Sequence, residues 1–240
     1  MRLLAIAFVL SANTAQADAV FDRFSELDKS LWYVAEHDFR HPAFDTDWRA
    51  SQVSAESGLN LSLAPHDGLN RFKGASIRTH QALHFGTYRS RFRAGKGEGV
   101  VTGFFTYTGP HYGTRHDEID IEILGKDPTK LHVAWFVDGE LTNHFVPLGF
   151  DASECIHDYA FSWSEDQITW YVNDKLVFQT SSSDGPLPTV PSHLFANIWA
   201  ADPSIAVWSG TIDPDTQTNA FFEEVSFEPI SASETEDQNS

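Results

Sequence analysis

Asp117-Glu118-Ile119-Asp120-Ile121-Glu122-Ile123-Leu124 alternates acid and isoleucine without a break. Successive side chains of a β-strand point to opposite faces. As a strand, this stretch carries the carboxyl groups of Glu118, Asp120 and Glu122 on one side and Ile119, Ile121 and Ile123 on the other. The isoleucine side is too apolar to be anything but core, while like charges in a row on the other side repel one another. Stability alone does not select such a face.

Cleaving a glycosidic bond does need carboxyl groups in pairs, set about 5–5.5 Å apart for retention of configuration and ~6.5–9.5 Å apart for inversion. On a flat strand rising about 3.3 Å per residue, the Cα atoms of Glu118 and Glu122 lie about 13 Å apart. The chemistry therefore requires a strand that curves toward its ligand, with both long side chains leaning inward. Asp120, between them, cannot comfortably ionise beside two other carboxylates, so it is expected to share a proton with a neighbour. A calcium site fits this strand less well, because hard cations also draw on backbone and water oxygens from loops.

Outward from this stretch, short runs of alternating apolar and polar residues, punctuated by Gly, Pro, Asn and Asp, indicate strands and turns. Strands are expected at 59–64, 87–94, 101–108, 118–124, 131–137, 158–164, 168–172, 175–179, 194–200 and 220–227. Sustained helical periodicity is absent. The fold class is thus all-β, an antiparallel sandwich or jelly roll. Asn173-Asp174 joins two of the runs as a tight hairpin turn. Segment 181–191 reads as a surface loop and 231–240 as a disordered acidic tail.

The chain has 240 residues, one cysteine and a formal charge of −18. That length suits one large core, here 18–230. Residues 1–17 run from a basic start through an apolar stretch to Ala15-Gln16-Ala17, the order of a secretory signal peptide. Export, to the periplasm or outside the cell, is expected, with no membrane association afterwards. Cys155 reads as a small buried hydrophobe, so stability rests on the core rather than a disulfide. The strongly acidic balance argues against nucleic acid as a partner.

At these residues the sequence resembles glycoside hydrolase family 16, and within it the bacterial lichenases, whose catalytic signature is Glu-Ile-Asp-Ile-Glu. The resemblance runs from Trp48-Arg49-Ala50 through Phe104-Phe105-Thr106-Tyr107-Thr108-Gly109-Pro110, Asp117 to Lys126, Leu148-Gly149-Phe150-Asp151-Ala152-Ser153 and Trp170-Tyr171-Val172 to Asn197-Ile198-Trp199. It implies a curved, concanavalin A-like jelly roll and a retaining endo-glycosidase acting on β-1,3-1,4-glucan. Glu118 resembles the nucleophile, Glu122 the acid/base and Asp120 the assisting acid. A polysaccharide substrate, no required cofactor and a monomer are implied. A structural calcium on the convex side is also allowed, with Glu223 or Glu224 as a ligand.

Strand parity sets His193, Phe195, Asn197 and Trp199 on one face, and likewise His132, Ala134 and Phe136. With the resemblance, the expected sugar contacts are Asn197, Trp199, Trp208, Phe105, Arg78, His116, His132, Phe136 and Arg40, aromatic rings serving the apolar faces of pyranoses. Trp163 and Trp170 are assigned to the core or the convex face. Departures from the lichenase pattern fall on sugar-binding positions: His116 replaces a tryptophan, Ser76 a glutamate, and Arg40-His41 an Asn-Gly pair. Thr46 and Gly74 stand where lichenases have a disulfide. Arg40 and His116, beside Arg115 and Arg78, make the cleft more basic than the chain and suggest an acidic sugar, as in succinoglycan. A non-catalytic, lectin-like module and a transglycosylase are the competing readings.

Overall fold

The computed structural model describes residues 18–230. The expected signal peptide and acidic tail lie outside the described residues. The strands are β1 Val20–Asp22, β2 Trp32–Val34, β3 Thr46–Trp48, β4 Val53–Ala55, β5 Leu59–Pro65, β6 Phe72–Thr79, β7 Gly86–Arg93, β8 Val100–Thr108, β9 Asp117–Leu124, β10 Lys130–Val137, β11 Glu140–Pro147, β12 His157–Trp163, β13 Gln167–Val172, β14 Lys175–Ser181, β15 His193–Ala200 and β16 Thr218–Pro229. Among the described residues the one α-helix is α1, Ala206–Ser209.

The strands form two stacked layers of one curved jelly roll. A front layer runs β11-β10-β9-β8-β15-β6, with β2 on β6, and a back layer runs β5-β16-β7-β12-β13-β14, with β1 on β16 and β4 on β5. The two join where Ala64 and Pro65 of β5 pair with Lys73 and Phe72 of β6. All strand pairs are antiparallel except β3 with β6.

The core fills the space between the layers. From β9, Ile119, Ile121 and Ile123 point into it with no exposed surface, as the alternation required. Phe104 of β8 meets Phe161 of β12 at 6.2 Å, and Trp135 of β10 meets Trp170 of β13 at 5.8 Å. Burying each isoleucine stabilises the fold by about 1.5–3 kcal/mol. Of the two placements expected for them, Trp163 and Trp170 both take the core. Trp170 also reaches through the core to β9, its indole N–H donating to the Asp120 carbonyl at 3.0 Å.

Each expected strand forms, with ends within two residues of those read from the pattern. Asn173 and Asp174 take φ of 49° and 60°, as a tight hairpin turn demands. The missed strands are the three-residue ones together with β6 and β11. β6 holds Gly74, Ala75 and Ser76, and is extended because four strands pair with it rather than through its own preference. β11 is an edge strand, largely exposed on both faces, so it lacks a clean alternation. Cys155 corrects its expectation: it is exposed, in the turn-rich stretch before β12. Gly74 does lie against Thr46, since a Cβ there would sit 2.7 Å from the Thr46 methyl and 2.5 Å from the Ile198 carbonyl oxygen.

Trp170→Phe keeps most of the ring but leaves the Asp120 carbonyl without its donor. The expected loss is about 1–3 kcal/mol of unfolding free energy, seen as a lower urea midpoint at unchanged slope.

Candidate active site

Antiparallel pairing fixes which side chains share the outer face of the front layer, because residues directly opposite one another point the same way. Three rows cross it. Glu118 lies between Tyr107 of β8 and Phe136 of β10. Asp120 lies between Phe105 and Ala134, and beyond Phe105 come Phe195 of β15 and Arg78 of β6. Glu122 lies between Gly103 and His132, with Asn197 and Ser76 beyond Gly103. The faces expected for β10 and β15 are the ones observed, and β8 turns its Phe105 side outward, as the resemblance implied. Gly103 is required, since any Cβ would sit 2.6 Å from Asn197 Oδ1.

Each glutamate has a histidine partner. His116 Nε2 lies 2.5 Å from Glu118 Oε2, its ring stacked on Phe136 at 4.7 Å and edge-on to Tyr107. His132 Nδ1 lies 2.9 Å from Glu122 Oε2. Both glutamate side chains are mostly but not fully buried, 17% and 16% exposed, as groups that must meet a ligand require. Asp120 is buried, at 3% exposure. Its burial, then the charges of Glu118 and Glu122, push its carboxyl well above the usual carboxylate range, and a hydrogen bond with Glu118 adds to this. This shift favours the neutral form of Asp120, as a carboxyl that donates a hydrogen bond to Glu118. Tyr107 is raised as well, by burial and then by Glu118.

Asp117, one residue before the acidic face, is buried and anchors the strand end. Its carboxylate takes Arg115 Nε at 2.9 Å and Nη2 at 3.0 Å, and the amides of Thr189 at 2.8 Å and Val190 at 3.2 Å. Arg115, counted above among basic cleft residues, is therefore neutralised by Asp117. The loop expected at 181–191 is tied to the site by the same carboxylate. The loop contact is not legible from local sequence, because Thr189 and Val190 lie 72 and 73 residues from Asp117 in the chain.

The remaining expected contacts sit around these rows. Phe105 stacks on Phe195 at 5.0 Å. Trp208, on α1, stands edge-on to His132 at 5.5 Å. Arg78 lies over the Tyr33 ring at 4.5 Å and the Tyr112 ring at 5.5 Å, bonding the Thr79 carbonyl and, among the described residues, no carboxylate. Arg40 is exposed in the segment before β3. His41, beside it, is lowered by burial and raised in part by the charge of Glu118, so this segment borders the site. Trp199 and Asn197 are each 5% exposed, and Trp199 stacks on Phe44 at 3.9 Å. Tyr33, Tyr112 and Phe44 escaped sequence reading, since they lie in segments too short for periodicity.

The possible calcium ligands are engaged by arginines: Glu223, at a bulge in β16, pairs with Arg91 at 3.0 Å and Glu224 with Arg23 at 2.9 Å. Among the described residues no helix is long and apolar enough to cross a membrane.

A two-layer jelly roll that presents paired glutamates and a buried aspartate on one strand is an arrangement suited to cleaving carbohydrates. Comparison with known proteins gives the family: the profile of glycosyl hydrolases family 16 matches residues 40–221. The chain belongs to that family and is a licheninase-like O-glycosyl hydrolase. It is 35% identical over 219 residues to a beta-glucanase of Brevibacillus brevis, covering 88% of this chain and 82% of the relative. Among solved structures it resembles the beta-glucanase of Bacillus licheniformis, with a TM-score of 0.84, 32% identity and coverage of 89% of this chain and 99% of the other. A beta-1,3-1,4-glucanase (lichenase) from a mouse hindgut metagenome also superimposes with a TM-score of 0.84, at 33% identity over 88% of this chain and 99% of that one.

The raised Asp120 sets the sign of a pH effect. A folded-state value above the unfolded one means that its contribution is present below about pH 4, the ordinary carboxylate range, and is lost as pH rises through the raised value. Asp120→Asn stays neutral throughout. Its stability relative to the parent should therefore improve steadily as pH is raised above about 4, measured as urea midpoints. A difference independent of pH contradicts a protonated Asp120.

Proposed function

We propose that the chain is a secreted, retaining endo-β-glycanase that cuts internal bonds of a β-1,3-1,4-linked glucan by double displacement. The observation that carries this reading is the acidic face of β9, where Glu118 and Glu122 flank a buried Asp120 and each is oriented by its own histidine.

In the first step Glu118 Oε attacks the anomeric carbon while the Glu122 carboxyl gives its proton to the departing glycosidic oxygen, leaving a glycosyl ester on Glu118. In the second, the Glu122 carboxylate takes a proton from water, whose oxygen attacks the same carbon and frees Glu118. Asp120 donates its hydrogen bond to Glu118 and limits the charge on the strand while the ester forms. His116 and Asp120 hold the nucleophile from two sides. His132, packed against Trp208 and Phe145, aims the acid/base. Stacked rings such as Phe105 and Phe195, with Phe136 beyond the carboxylates, offer apolar faces to pyranoses. The signal-like order of residues 1–17 supports export.

A second reading, depolymerisation of an acidic exopolysaccharide such as succinoglycan, is favoured by Arg78, whose cation lies on the substrate face without a carboxylate partner among the described residues, and by exposed Arg40. Salt would weaken the long-range repulsion between such a polymer and this acidic chain.

Glu118→Gln is expected to abolish release of reducing ends while leaving polymer binding intact, and Glu122→Gln to lower kcat by about 10²–10⁴-fold. Unchanged hydrolysis by Glu118→Gln sinks the mechanism, and a wild-type chain that binds without cutting is a lectin. A panel of mixed-linkage β-glucan, laminarin, succinoglycan and agarose, with products sized, decides the polymer. Cleavage of succinoglycan but not mixed-linkage glucan selects the second reading.

A further inference from the structure

The substrate face does not end at the catalytic strand's neighbour. β11 continues the front layer past β10, and its register extends the three rows: Leu141 lies opposite Phe136, Asn143 opposite Ala134 and Phe145 opposite His132. All three point to the side on which Glu118, Asp120 and Glu122 stand. Leu141 is 50% exposed and Phe145 46%.

Those exposures are unexpected for an edge strand. Soluble proteins blunt such edges with charges or proline, because an open ladder flanked by apolar side chains recruits other strands. Glu140 and Pro147 blunt the two ends of β11, yet between them its outer face carries leucine and phenylalanine with an amide in the middle. Core packing does not account for the choice. The opposite face of β11 does the packing, where His144 stacks on Phe178 at 4.4 Å and Val146 touches the core. Nor is Phe145 isolated: its ring lies 4.7 Å from His132, which bonds Glu122 and abuts Trp208. An exposed aromatic surface contiguous with a catalytic face and rimmed by polar groups is what a pyranose ring recognises.

We infer that Leu141, Asn143 and Phe145 form an outlying sugar-binding shelf on β11, which holds the polysaccharide chain on one flank of the cleavage point. The inference rests on the glycanase reading above and adds a subsite to it. β11 lies two strand spacings, about 10 Å, from β9. A sugar on the shelf is therefore not the one undergoing cleavage but lies farther along the same chain. Phe145 and Leu141 supply the apolar faces, and Asn143 offers both a donor and an acceptor to ring hydroxyls. Binding there contributes only when the ligand is long enough to span β10, so the shelf makes the enzyme discriminate by chain length.

The test uses the full-length protein carrying Glu118→Gln, with and without Phe145→Ala, and measures affinity by calorimetry. The probes are mixed-linkage β-glucan and its oligosaccharides of increasing length, or succinoglycan and its fragments if the panel selects that polymer. Phe145→Ala should weaken binding of the polymer and long fragments by about fivefold to tenfold, the loss expected for one aromatic contact, and the loss should shrink as the ligand shortens. Phe145→Trp should restore the long-ligand affinity. In the active enzyme, Leu141→Ala, on the same face of β11 but away from His132, should raise KM for polymer with little change in kcat and alter the product lengths. An equal loss for short and long ligands, or none for any, overturns the shelf while leaving the glycanase reading intact. Hydrolysis that survives Glu118→Gln, or a wild-type chain that cuts none of the polymers, overturns both.

Discussion

The structure depends on the register of β9 between β8 and β10. With that register, three isoleucines enter the core and three carboxyl groups share the opposite face. A shift by one residue would bury the acids among Phe104, Phe161 and Trp170 and place the isoleucines outside, an exchange no packed core tolerates. The hydrophobic effect therefore fixes the catalytic geometry. The same burial that stabilises the fold also raises Asp120 well above the usual carboxylate range, which eases the crowding of three carboxyl groups in one row.

What surrounds the strand serves its two ends and its middle. At the start, Asp117 clamps Arg115 and the amides of the 181–191 loop. In the middle, Trp170 holds the Asp120 carbonyl from the back layer. On the open face, the histidines from positions 116 and 132 give each glutamate one polar partner. These supports come from four separate segments, so the precision of the site is a property of the whole sandwich and not of the motif alone.

The strand itself was fully legible in the sequence, because alternation with period two needs no partner to be recognised. So were the parities of β10 and β15, whereas the pattern alone did not choose between the two faces of β8. Less legible were the elements shaped by their neighbours: β6, weak in strand-forming residues but paired on both sides, and β11, whose edge position removes any clean pattern. The contacts of Asp117 and Arg78 were out of reach for the same reason, since their partners lie in distant segments or in β2 and the turn around Tyr112. Charge counting placed Arg115 in the cleft, and only the three-dimensional arrangement shows it neutralised by Asp117. Family membership extends the account to the reaction. Under the proposed reading, specificity turns on Arg40, Ser76 and His116, positions that the sequence reading sets apart from the lichenase pattern.

The proposal centres on two glutamates of one strand acting as nucleophile and acid/base from opposite sides of the anomeric carbon. Proton NMR of the first product formed from a cleaved β-glucan, recorded before mutarotation, tests it most directly. Double displacement at Glu118 predicts that the new reducing end appears first as the β-anomer and only later equilibrates. First appearance of the α-anomer would mean direct attack by water, and would contradict the role given to Glu118.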